Sequence, residues 1–260
     1  MIPKKIHYCW YGKGTYNEVL KKCIASWKEK LPDYEIKKWD ESNTEFDKLP
    51  FLKLLYKQKK WSFISDYMRL YAVYTEGGIY LDTDIEVIKT FDDLLQNNAF
   101  IGFQDESVNI KTPINAAVFG ADKGHTFVLD CIKETEKKQR LQFNAMGGPP
   151  IVSKVLFSYG LNTYKLQEVN NVKVFPTEYF YPLPWKTDFK KANEYITENS
   201  YCVHWWQESW TSKKHDFKYY VNSIQRKFQK LPLLIVCRLR YVFDNKSFYH
   251  IDKFLVHDKN

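Results

Sequence analysis

Gly77-Gly78-Ile79-Tyr80-Leu81-Asp82-Thr83-Asp84-Ile85-Glu86-Val87 is the stretch whose reading decides the fold. Ile79, Tyr80 and Leu81 make a short apolar run of the kind that forms a buried strand. The acidic residues that follow at once fit a strand whose C-terminal end opens into a crevice. Residues two apart on a strand project to the same side, so Asp82 and Asp84 are expected to face that crevice together. Two adjacent carboxylates repel one another, and a divalent cation between or beside them removes the repulsion. Oxygen ligands favour a hard ion, Mn2+ or Mg2+, which keeps open positions that bind a diphosphate. A solvated acidic turn is the competing explanation of the same pair.

Upstream, Ile64, Tyr67, Met68, Tyr71 and Tyr74 form an apolar stripe that predicts a helix over 62–76, with Gly77-Gly78 supplying its left-handed C-terminal cap. Asp66 and Arg69 stand at i and i+3 on that helix, either as a surface ion pair or as part of the same site. Further back, residues 5–10 read as a first strand broken by Gly12 and Gly14. A helix is expected from about 17 to 31, ended by Pro32, and a second strand through Tyr34, Ile36 and Trp39. Strand, helix, strand in this order opens an α/β fold. Downstream, 100–104 and 116–121 are expected strands and 125–138 a helix. Gly147-Gly148-Pro149-Pro150 marks a turn before a helix at about 151–158. Between 160 and 203 the pattern weakens to short strand-like pieces such as Val172–Pro176 and Tyr201–Trp206. There is no internal repeat and no low-complexity tract.

The chain has 260 residues, 44% hydrophobic and 27% charged, values that exclude collagen-like, coiled-coil and wholly disordered classes. Aromatic residues reach 17%, either as packing or as surfaces that stack on sugars and nucleobases. The formal charge of +8 is uneven, because residues 211–260 carry +7 of it and leave the body nearly neutral. An extended nucleic-acid groove is therefore not expected, since positive charge would track it through the body. The cysteines at 9, 23, 131, 202 and 237 are odd in number and lack a zinc-ligand spacing, as in a reduced compartment. No signal peptide or membrane span is expected, and a cytoplasmic location follows.

Ile2–Trp10, the helix at 65–78, Ile79–Asp84 and the patch His204-Trp205-Trp206-Gln207-Glu208-Ser209-Trp210 occur in the order in which they resemble one family. It is the DXD sugar-binding group of glycosyltransferases, family 32-like, which includes bacterial capsule enzymes, yeast mannosyltransferases and the catalytic domains of large clostridial toxins. The resemblance is dense over residues 1–120 and thin from about 160 apart from that patch. It implies a GT-A-like, Rossmann-like nucleotide-sugar-binding α/β domain over 1–210, followed by a helical, basic segment over 211–260. It also implies a nucleotide-sugar donor, Mn2+ or Mg2+ as cofactor, and transfer with retention of anomeric configuration.

By position, the resemblance makes Trp10 the aromatic that stacks on the donor base, with a buried core tryptophan as the other explanation. Asp66 and Arg69 would hydrogen-bond the donor sugar, Tyr80 would lie in the donor site, Asp82 would contact ribose and metal, and Asp84 would bind the metal. His204 would be a further metal ligand, or a packed histidine, while Ser209 and Trp210 would touch the diphosphate. Gln104, Asp105 and Asn115 would line the acceptor site or serve turns. The remaining histidines, 7, 125, 215, 250 and 257, are expected to be structural or exposed. UDP-galactose or UDP-glucose is the expected donor. A glycan or lipid-linked glycan, as in capsular polysaccharide synthesis, is the expected acceptor.

Two other classes share part of this pattern. Aspartyl phosphatases also place D-x-D after an apolar strand, but Glu86 stands where a threonine or valine follows the second aspartate in those enzymes. A basic, aromatic-rich module binding a membrane or glycan without catalysis is the non-enzymatic alternative. The basic C-terminal segment, with its Leu231–Cys237 apolar stretch interrupted by Pro232, is expected either to lie on the anionic inner face of the plasma membrane or to be a solvated helical face. On the membrane expectation, full-length protein floats with anionic vesicles and protein lacking 211–260 does not. Equal flotation of the two, or none, rejects it.

Overall fold

The computed structural model describes residues 1–105, 112–141, 148–185, 187 and 189–207. Met1–Glu208 forms one compact unit. The second unit, Ser209–Asn260, lies outside the described residues, and with it Ser209, Trp210 and the basic segment.

The chain opens with strand β1 (Lys5–Cys9), helix α1 (Glu18–Lys30) and strand β2 (Glu35–Trp39). Asn17 starts α1 by accepting the Leu20 N–H at 2.9 Å, and Pro32 lies just beyond its end. Helices α2 (Pro50–Lys57) and α3 (Trp61–Glu76) follow, then β3 (Gly78–Leu81) and β4 (Ile85–Val87). Two positive φ angles, +70° at Gly77 and +110° at Gly78, carry the chain from α3 into β3 with no intervening loop. A Cβ on Gly78 would stand 2.6 Å from the Lys5 carbonyl oxygen, so close pairing of β1 and β3 requires glycine there.

The rest comprises β5 (Ala99–Phe103), β6 (Ile114–Ala121), α4 (Thr126–Leu141), α5 (Gly148–Ser158), β7 (Gln167–Val169), β8 (Val172–Phe175), the short helix α6 (Thr177–Phe180) and β9 (Cys202–His204). α5 begins at Gly148 rather than after the prolines. Pro149 and Pro150 sit in its first turn, where a missing N–H leaves no helical hydrogen bond unmade. The sequence pattern also passed over α2, which is eight residues long and has no side-chain cap.

Seven strands form one mixed sheet in the order β2-β1-β3-β6-β5-β8-β7, while β4 and β9 pair separately and antiparallel. β1 runs parallel to both β2 and β3, whereas β6 runs antiparallel to β3 and β5. Consecutive residues of β3 face opposite sides. Tyr80 enters a core with α2, α3, α4 and α5, and Ile79 and Leu81 enter one with Trp27 of α1, Phe91, Phe100, Phe180 and Tyr181. The expected α/β class therefore holds, with helices and long aromatic segments covering both faces. Much of the aromatic content is spent in these two cores.

His7 is fully buried between the strands. Its Nδ1 accepts from Trp39 Nε1 at 3.0 Å, which leaves Nε2–H to donate to the Gly77 carbonyl at 2.8 Å. Burial holds its pKa below the usual imidazole value, consistent with a neutral structural histidine. Cys9, Cys23, Cys131 and Cys202 are buried free thiols, and among the described residues no helix is long and apolar enough to cross a membrane.

Candidate active site

The site begins at an irregularity in the sheet. Opposite the consecutive β5 residues Ile101 and Gly102, the β6 partners jump from Phe119 to Asn115, leaving Ala116, Ala117 and Val118 without partners in β5. Side chains take up the freed N–H groups: Ala117 donates to Asn115 Oδ1 and Val118 to the Tyr181 hydroxyl, both at 2.8 Å. Two β6 carbonyls meet the end of β3 and α3 here, the first continuing the β3–β6 register past Leu81 and Val118. Ala117 O accepts the Asp82 N–H at 2.8 Å, and Ala116 O accepts from Arg69 Nη1 at 2.9 Å. Gln104 and Asn115, expected near an acceptor, bond to each other at 2.8 Å.

Arg69, on α3, reaches this bulge with only 8% of its side chain exposed. Its Nη2 lies 2.9 Å from Asp66 Oδ1 and 3.3 Å from Asp82 Oδ1, and its guanidinium stacks 4.9 Å from the Tyr80 ring centroid. The i, i+3 pair of the sequence is thus a buried ion pair with a second carboxylate, not an exposed one. Burial raises the Asp66 pKa to about 6 even though Arg69 and the Gly148 N–H pull the other way. Burial raises Asp82 likewise, against the same arginine. Burial works to lower the pKa of the guanidinium itself, but Asp82, Tyr80 and Asp66 outweigh it and hold the group more firmly charged. Tyr80, expected in the donor site, is 1% exposed and donates its hydroxyl to Asp82 Oδ1 at 2.8 Å, directly behind that carboxylate.

Strand β3 ends at Leu81, and Asp82-Thr83-Asp84 forms the turn into β4, closed by Ile85 N–H to Asp82 O at 3.0 Å. The two carboxylates are brought together by this turn, which corrects the expectation that strand alternation would do it. Asp84 is gripped by the chain after β9: His204 Nε2 lies 3.2 Å from its Oδ1, Gln207 N–H donates to its Oδ2 at 2.9 Å, and Trp205 N–H donates to its carbonyl at 3.0 Å. Burial works to raise Asp84, but His204 and the Gln207 N–H outweigh it and hold the carboxylate below its usual range.

Asp82, Asp84 and His204 offer ligand atoms that all lie within 4.8 Å of one another. His204 is buried, and among the described residues its Nδ1 has no hydrogen-bond partner. Two carboxylates and an imidazole nitrogen gathered this closely fit a divalent cation, Mn2+ or Mg2+.

Trp10 follows β1, whose pairing of His7 with Tyr80 brings the C-terminal ends of β1 and β3 to the same edge of the sheet. It is not one of the buried tryptophans: its ring is half-buried against Tyr16 at 4.6 Å, and Nε1 donates to Gly14 O at 2.8 Å. The Gly148 N–H on Asp66, the Ala116 carbonyl on Arg69 and the Gln207 N–H on Asp84 left no signal in the sequence, because backbone groups have no residue identity.

Residues 17–101 match the model of the glycosyltransferase sugar-binding region containing DXD motif, and residues 120–230 match the alpha 1,4-glycosyltransferase conserved region. The inositol phosphoceramide mannosyltransferase 3 of Schizosaccharomyces pombe is 32% identical over 51% of this chain and 36% of its own length. The lactosylceramide 4-alpha-galactosyltransferase of Rattus norvegicus is 28% identical over 56% of this chain and 41% of its own length. The chain thus matches well under half the length of these relatives. Among solved structures, the PaToxG glycosyltransferase superposes with a TM-score of 0.49 at 20% identity, covering 60% of this chain and 69% of that one.

Asp66 makes a pH prediction. Its folded pKa of about 6 lies above its ordinary value of 3.8, so the folded state holds the proton more tightly than the unfolded chain. Stability from this group is fully present below about pH 4 and is lost as pH rises from about 4 to 6. Urea midpoints measured across that range should show an Asp66→Asn variant without this component of the slope. An identical slope in variant and wild type would contradict the assignment.

Proposed function

We propose that the chain is a glycosyltransferase of the group whose sugar-binding region contains the DXD motif, and that it moves a hexose from a UDP-sugar to a glycan or lipid-linked glycan with retention at the anomeric carbon. The observation that carries the reading is the convergence of Asp82, Asp84 and His204 beside the buried Asp66–Arg69 pair.

In this reading Asp82, Asp84 and His204 hold Mn2+ or Mg2+. When bound, the ion supplies positive charge against the diphosphate leaving group. Arg69 and Asp66 bond the sugar hydroxyls and fix the anomeric carbon relative to the departing oxygen. Their partly desolvated charges strengthen such bonds, and the Ala116 carbonyl and Gly148 N–H hold the pair in place. Trp10, kept rigid by Gly14 and Tyr16, offers a face for the nucleobase. Ser209 and Trp210 are assigned to the diphosphate by the family resemblance alone.

Galactose and glucose are the first donor sugars to test. The relatives' names give galactosyl and mannosyl transfer to ceramide lipids, which supports a hexose and a lipid-linked acceptor. The conserved region matched over 120–230 and the galactosyltransferase name both specify an alpha linkage. An alpha linkage formed from an alpha-linked UDP-hexose is retention. Same-face substitution, with the departing phosphate taking the acceptor proton, is favoured over a covalent intermediate because Asp66, Asp82 and Asp84 are each engaged by neighbouring groups.

The test is nucleotide release from a panel of sugar nucleotides without acceptor, in Mn2+ and in EDTA. Metal-dependent release from one UDP-hexose is expected, with at least a hundredfold loss in Asp84→Asn while its circular dichroism stays that of wild type. Wild-type release by Asp84→Asn removes that residue from the mechanism. Absence of both release and metal-dependent nucleotide binding overturns the proposal.

A further inference from the structure

The segment that grips Asp84 contains a backbone anomaly. Trp206 has φ +49°, a left-handed conformation that bulky side chains rarely adopt. It reverses the chain immediately after β9, so that the next residue, Gln207, points its N–H back at Asp84 Oδ2. An ordinary extended residue at 206 would carry that N–H onward instead.

The side chain of Trp206 is fixed as well. Its Nε1 donates to the Leu183 carbonyl at 2.8 Å, and its ring stacks on the His204 imidazole with centroids 3.9 Å apart and planes inclined by 34°. The Tyr181 ring flanks the same imidazole at 5.9 Å. Histidines that bind metals are ordinarily oriented by a hydrogen bond from their second nitrogen. His204 Nδ1 has none among the described residues. The orientation that a hydrogen bond would provide is left to aromatic contact.

We propose that Trp206 is the positioning residue of the Asp84–His204 pair, its backbone aiming the Gln207 N–H at Asp84 and its indole fixing the plane of the His204 imidazole. This rests on the reading of Asp82, Asp84 and His204 as a divalent-cation site. It adds a residue that touches neither ion nor substrate and acts through two side chains that do.

Two measurements on the full chain test it. The first is Mn2+ affinity without nucleotide, from the electron paramagnetic resonance of free aquo-Mn2+, for wild type, Trp206→Gly, Trp206→Phe and Asp84→Asn. Glycine accepts the left-handed backbone but lacks the ring, so Trp206→Gly should bind at least tenfold more weakly, while Trp206→Phe stays within about threefold of wild type. Equal affinity in wild type and a folded Trp206→Gly overturns the positioning role. If wild type binds no better than Asp84→Asn, the cation reading itself falls and the proposal with it. The second measurement is the proton shift of the His204 ring in metal-free wild type, where the stacked indole should move it upfield. A shift at the ordinary imidazole value contradicts the proposal even if Trp206→Gly does not fold.

Discussion

The Arg69 guanidinium lies between the Asp66 and Asp82 carboxylates with its side chain 8% exposed, and the arrangement of the candidate site depends on keeping that charge out of water. Burying it is tolerable only because two carboxylates and the Ala116 carbonyl receive its N–H groups. The carbonyl is available because β6 carries unpaired residues at the bulge, and the bulge is possible because Asn115 and Tyr181 satisfy the N–H groups it strands. Removing one partner of such a cluster leaves an uncompensated charge and typically costs about 3–5 kcal/mol. Helix, bulge and turn are therefore coupled through one side chain.

The second half of the site is built differently. Asp84 is held by the backbone of 205–207 and by His204, and these arrive on β9, paired with β4 apart from the main sheet. Trp27 of α1 donates to the Ile85 carbonyl at 2.7 Å, and Ser26 Oγ accepts the Val87 N–H at 2.9 Å, so α1 supports β4 from behind. Asp82 and Asp84 are two residues apart in sequence but belong to two packing systems, one centred on Arg69 and the other on Trp206. Burial raises the pKa of the first, and the His204 contact holds that of the second down. The two carboxylates of one motif are thus perturbed in opposite directions by different surroundings.

The periodic elements of this fold were legible from residues alone. α1 and α3 have apolar stripes and recognisable ends, α4 was expected close to where it lies, and β1, β2, β3, β5 and β6 are short β-rich or apolar runs. What escaped was set by tertiary contacts. α2 has no cap to announce it, β4 is a three-residue strand that exists through its pairing with β9, and the register jump in β6 has no sequence mark. In the site, Asp66, Arg69, Asp82, Asp84 and His204 were identifiable, and the structure brings them together. The reason for the convergence of the aspartates was not identifiable, because a strand and a turn place residues i and i+2 on one side equally well. The bond from the Tyr80 hydroxyl to Asp82 likewise has no mark in the sequence.

In the proposed site, Asp82, Asp84 and His204 take one divalent ion together with a nucleotide diphosphate. The most direct measurement is an anomalous difference map at the manganese edge from crystals grown with Mn2+ and UDP. The account predicts one strong peak within coordination distance of Asp84 and His204, contacted by the diphosphate. A peak placed elsewhere, or UDP bound with no peak among these three side chains, would contradict it.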